Sequence, residues 1–187
     1  MQKEVVQMSS QANRSRKSAQ SADQRTRRLA LSALFAALAM IFSYVEALIP
    51  MPVPVPGIKL GIANLVIIMA IYKLGFRYAL SITCLRIVIS GLLFSGVFGM
   101  IYSFAGGILS ITVMYLLYRT KLFSMVGVSM AGGVMHNLGQ LFTACLIMSS
   151  TSLMSYFPVL LFSGLFSGIF IGILAHLIYS RLPEFNL

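Results

Sequence analysis

From Leu29 onward the sequence is nearly continuous hydrocarbon, interrupted by short clusters of basic residues, glycine and proline. Several of its uncharged stretches approach or exceed the roughly 20 residues that cross a bilayer as a helix. In lipid an open strand edge would leave backbone N–H and C=O groups unpaired, so such stretches are expected to be helical. Six spans are predicted, at about 29–49, 60–74, 76–95, 97–118, 124–148 and 156–180. The second is short, and a kinked entry at 57–59 extends it. The expected fold class is therefore all-α, a polytopic membrane protein of six transmembrane helices. With 187 residues, 58% of them hydrophobic, the chain has room for one membrane domain, 29–187, and no soluble one.

Residues 1–28 differ in kind. They are rich in Ser and Gln and carry Lys3, Arg14, Arg16, Lys17, Arg25, Arg27 and Arg28 against only Glu4 and Asp23. Such a segment buries too little to fold alone, and it is expected to be a disordered basic cytoplasmic tail that sets orientation and can touch anionic lipid. It is too long for the basic start of an ordinary signal peptide.

The formal charge of +10 would suit nucleic acid, but its distribution points elsewhere. Lys73 and Arg77 lie between spans 2 and 3, Arg119 and Lys121 between spans 4 and 5, and Arg181 after span 6. With the tail inside, all of these face the cytoplasm, and the opposite connections hold only Lys59. This asymmetry predicts both termini in the cytoplasm and argues against a nucleic-acid partner. Cys84 and Cys145 fall inside predicted spans and read as small packing residues, implying neither a disulfide nor a metal site. No cofactor is expected.

Ionisable groups inside a span are costly and mark sites. Glu46 falls near the outer end of span 1, Lys59 and Asn64 at the outer end of span 2, and Arg86 near the middle of span 3. His136, Asn137 and Gln140 occupy the middle to outer half of span 5. His136 and Gln140 are one turn apart and share a face, and Asn137 with Gln140 nearly does. Each has a plainer reading: Arg86 and Glu46 as a structural ion pair, His136 as a packing residue, Asn64 as a cap for the kink. Taken together, they predict a pocket opening outward that takes a small molecule with an anionic or strongly accepting group, with Asn and Gln giving directional hydrogen bonds. Tyr44 and Tyr102 are candidate aromatic walls. The prolines of "VPVPGIKLGIANLV", residues 53–66, would hold the chain extended, and Gly57 would turn it over the mouth of the pocket.

The small-residue stripe Gly164, Gly168 and Gly172 on span 6 suits close helix packing. On span 1, Ser32/Ala36 and Ala33/Ala37 make similar stripes that suit packing or partner docking equally.

The stretches "PGIKLGIANLV" at 56–66 and "HNLGQL" at 136–141, with Arg86 in span 3, resemble the small bacterial membrane proteins called the Gx transporter family. Its members are also labelled heptaprenyl diphosphate synthase component I. The resemblance covers roughly residues 29–180. It implies a bundle like the substrate-binding S components of energy-coupling factor (ECF) transporters in the bacterial cytoplasmic membrane. These are six-helix proteins that capture a nutrient outside and dock onto a transmembrane T subunit driven by two cytoplasmic ATPases. It also implies that Ala33 and Ala37, which match an Ala-xxx-Ala motif, contact the T subunit.

The second family label implies chemistry that this chain lacks on its own. Prenyl diphosphate synthesis needs clustered aspartates to hold magnesium against diphosphate, and the only aspartate here is Asp23 in the tail. No Walker-type phosphate loop is present either, so ATP hydrolysis would fall to partners. The expectation is a non-enzymatic binding subunit. The alternatives are a non-catalytic membrane accessory in polyprenyl diphosphate or quinone synthesis, and a scaffold whose polar residues are structural.

Overall fold

The computed structural model describes the backbone of residues 2–49 and 61–182 and, Ser21 apart, the side chains from Gln20 onward. The described residues contain no strand. They form six α-helices: α1 Gln2–Leu48, α2 Ile62–Lys73, α3 Phe76–Ser90, α4 Gly96–Thr120, α5 Met125–Ile147 and α6 Phe157–Arg181. A π turn, Gly91–Ser95, joins α3 to α4, and a 3-10 turn, Thr151–Tyr156, leads into α6.

Three stretches are long and apolar enough to cross a membrane: Ala22–Leu48, Phe76–Thr120 and Thr151–Arg181. The second, at 45 residues, is a hairpin rather than a rod. A Cβ on Gly91 would sit 2.8 Å from Met100, and one on Gly107 would meet Ile87 and Thr83. In a straight helix those partners would be about 13 to 36 Å apart. The reversal is made at Gly96, whose φ of 70° suits glycine and strains any other residue.

α1 runs unbroken from Gln2, through the segment whose composition predicts disorder. Residues 2–48 contain neither glycine nor proline, so nothing in the chain interrupts a helix propagating back from its apolar half. The proline-rich stretch 50–57 and Lys59 lie outside the described residues.

α2 is the central helix. It is apolar all round, packs against α1, α3, α4 and α6, and buries every residue from Leu65 to Ile71. A helix without a polar face is stable only when enclosed. α5 begins at Ser124, whose Oγ accepts a hydrogen bond from the Gly127 N–H at 3.2 Å. Ser124→Ala removes that cap and is expected to cost about 1 kcal/mol, read as a lower midpoint of thermal unfolding in detergent.

α5 and α6 are antiparallel and in backbone contact. A Cβ on Gly133 would lie 2.5 Å from the Gly164 carbonyl oxygen, one on Gly168 2.6 Å from Met130 Cα, and one on Gly172 2.7 Å from Val126 Cα. The glycine stripe of α6 is thus used within the bundle, where it lets two backbones meet. α4 and α5 are also antiparallel, with Gly139 against Ala105 and Gly106.

The basic residues gather at one end of this bundle, the end where α2 meets α3 and α4 meets α5. There Tyr72 packs against Tyr118 and Tyr179 with ring centroids 4.5 and 5.8 Å apart. Lys73 lies 4.3 Å over Tyr179, and Lys121 4.0 Å over Tyr118, both cation–π contacts. Arg28, Arg77 and Arg119 share this basic end.

Buried residues change character with depth along the helices. Near the basic end they are apolar: Phe35, Ala36 and Ala39 on α1, Ala79 and Ile82 on α3, Ile111 and Met114 on α4, Met125 and Val128 on α5. Toward the far end the same helices bury Ser43 and Glu46, Arg86 and Ser90, Ser103, and His136, Asn137 and Gln140. The bundle therefore has an apolar half and a polar half.

Candidate functional site

Four of the polar residues fall into two groups in the polar half. In the first, α1 and α3 bring Glu46 and Arg86 into electrostatic range of each other. Arg86 Nη1 donates to Ser43 Oγ at 3.1 Å, and the Gly61 N–H, just ahead of α2, donates to Glu46 Oε1. The carboxylate thus sits at the positive end of a helix as well as near a guanidinium, two arrangements that favour its charge. Both side chains are buried, at 6% exposure each, so the pair is held in a low-dielectric setting where its charges act strongly.

The second group sits on α5. His136 and Gln140 both pack against the bare backbone of α4 at Gly106, where a Cβ would come 2.9 Å from Gln140 Cγ and 3.1 Å from His136 Nδ1. Any side chain at 106 would displace them. Because Gly107 packs on Ile87, the neighbour of Arg86, the two groups lie at one depth on either side of α4.

The remaining candidates are placed differently. Asn137, although next to His136, turns to α6, where its Nδ2 donates to the Leu160 carbonyl at 2.8 Å. Successive residues on a helix point about 100° apart, so only one of the two can face α4. Asn64 is half-buried and shares a small cleft with Gly61, Ser129, Gly133, Ser167, Gly168 and Ile171, between α2, α5 and α6. Tyr44 is exposed and meets Phe94 edge-on at 6.0 Å; Tyr102 is half-buried. Ala33 and Ala37 are both exposed on α1, away from the bundle.

Two buried donors, Arg86 Nε and Gln140 Nε2, have no hydrogen-bond partner among the described residues, nor has Ser110 Oγ. Leaving a buried donor unsatisfied costs about 1–3 kcal/mol, so such groups are rare unless something else meets them. Donors on α3 and α5 are what a ligand with accepting atoms requires.

Ser43 and Gly61 are members of the site that residue-by-residue reading passes over. Ser43 stands three residues before Glu46, on the same helical face, and that spacing is its signal in the sequence. The part played by Gly61 is a backbone N–H and leaves no such signal.

No curated protein and no solved structure matches this chain. A family match does exist, and it covers residues 35–178, from the first buried residues of α1 to the last turn of α6. It encloses both polar groups and most of the bundle, and on that extent the chain belongs to the family described as heptaprenyl diphosphate synthase component I.

Proposed function

We propose that this chain is the substrate-binding, S-component-like subunit of an ECF-type uptake transporter in the bacterial cytoplasmic membrane. The observation that carries this reading is the pair of buried donors in the polar half of the bundle, Arg86 Nε and Gln140 Nε2, which have no hydrogen-bond partner among the described residues. Six passes put the basic end and both termini in the cytoplasm, following the Lys/Arg asymmetry, and open the polar half outward. Arg86, His136 and Lys59 draw the ligand's anionic or accepting group. Gln140 and Asn64 orient it, and Glu46 balances Arg86. Asn137 holds the start of α6 beside them. A T subunit and two ATPases supply the energy, docking at Ala33 and Ala37.

The test is mass spectrometry of small molecules retained through mild purification. A water-soluble ligand that disappears in Gln140→Leu supports the reading, and no such ligand from either protein after exposure to growth medium overturns it. Docking is tested separately. Ala33→Leu/Ala37→Leu changes only exposed positions, so the fold should survive while co-purification with a T subunit falls severalfold.

A second reading is favoured by the family's description as a synthase component. A membrane accessory of polyprenyl diphosphate synthesis would use the same donors on a diphosphate, with the magnesium-binding aspartates on its partner. It predicts a retained prenyl lipid and a stimulated synthase.

A further inference from the structure

The basic end carries a recess that the substrate site does not use. It is an open depression of about 500 Å³ lined by Arg28 of α1, Tyr115 of α4, and Leu74, Phe76, Arg77 and Tyr78 around the start of α3. The Phe76 and Tyr115 rings lie 4.8 Å apart in its wall. Arg119 Nη1 donates to the Tyr115 hydroxyl at 3.1 Å, bringing a third guanidinium to the rim.

No acid among the described residues lines the recess. Asp23 lines a separate pocket with Gln20, Gln24 and Arg27, and Glu46 is bonded to the Gly61 N–H at the far end of the bundle. Basic residues at a helix end usually make a solvated face. Here they come from α1, α3 and α4, converge on a concavity, and have aromatic and apolar groups between them. Guanidinium groups so placed suit phosphate oxygens, which they can engage in pairs.

We infer that this recess binds the phosphate headgroup of an anionic phospholipid in the leaflet at the basic end. The depth selects a lipid over a soluble phosphate. Arg28 immediately precedes the apolar run of α1, and Arg77 is the second residue of α3. Beyond them the helices present exposed apolar side chains, among them Leu29 and Leu85, along which acyl chains can lie. A lipid phosphate sits at that boundary, whereas a free phosphate gains nothing from the apolar surface beside it.

Native mass spectrometry of the full chain with phosphatidylglycerol and phosphatidylcholine of equal chain length tests this. Phosphatidylglycerol should be retained preferentially. Arg28→Gln and Arg77→Gln should each cut the preference roughly fivefold, the effect of one basic residue near an anionic lipid surface. Lys121→Gln and Arg181→Gln, each removing one charge elsewhere at this end, should leave it intact. Equal loss in that control pair would mean diffuse surface attraction and overturn the proposal. So would equal retention of the two lipids by the wild-type protein, a comparison that needs no variant to fold. Displacement of the lipid by millimolar inorganic phosphate would assign the recess to a soluble anion and overturn it as well.

Discussion

Arg86→Met is expected to unfold at a lower temperature than the wild type, with a loss of about 1–3 kcal/mol, because it removes a buried guanidinium that acts electrostatically on the buried Glu46 carboxylate. It also strands Ser43 Oγ, which now accepts from Arg86 Nη1. Adding Glu46→Gln should restore most of that stability, since removing both members of a buried pair is often close to neutral. The double variant then isolates the functional question. If the guanidinium serves the ligand, binding stays lost although the fold has recovered. Loss of a charged hydrogen bond is worth about 1.5–3 kcal/mol, or on the order of 10- to 100-fold in affinity. The readout is the amount of small molecule that co-purifies, taken beside the unfolding midpoint of the same sample. A double variant that is stable and still carries ligand at the wild-type level would reduce Arg86 to a structural ion pair.

The helices themselves were legible because lipid enforces them. Basic residues mark one set of ends, so α4, α5 and α6 begin and end within a residue or two of where hydropathy and Lys/Arg positions put them, while α3 begins as expected but gives way at Ser90, five residues early, to the π turn Gly91–Ser95. The polar half was legible for the same reason: Glu46, Arg86 and Gln140 are expensive where they stand, and cost alone singles them out. What the sequence left open was direction. His136 and Asn137 are adjacent and equally polar, and only the approach of α4 at Gly106 on one side and of Leu160 on the other decides which faces which. The helical backbone of residues 2–28 was hidden for the opposite reason, since composition reports what a segment can bury and not whether a neighbouring helix can run on through it. The stripe Gly164–Gly168–Gly172 announced a close contact but not its partner, which depends on the register of α5.

That register makes the second large effect. Gly133→Ala places a methyl group 2.5 Å from the Gly164 carbonyl oxygen, and Gly164→Ala places one 2.9 Å from the backbone of Gly133 and Val134. The obstacle is main chain in both cases, so no rotamer change relieves it and the helices must separate. Elsewhere in a helix alanine is the better residue by about 1 kcal/mol, and at Gly127, where the nearest atoms lie 3.7 Å away, that gain should be realised. At 133 and 164 overpacking of about 1–3 kcal/mol opposes it, and replacement by leucine should cost more than either alanine. Thermal unfolding in detergent should therefore rank Gly127→Ala at or above the wild type, the two alanine variants below it, and Gly164→Leu lowest. Separation of α5 from α6 also carries Asn137 away from the Leu160 carbonyl and loosens His136 and Gln140 against Gly106, so ligand retention should fall in the same order. Equal stability of Gly127→Ala and Gly133→Ala would mean that the two helices do not meet backbone to backbone, and the placement of the polar half on α5 would lose its support.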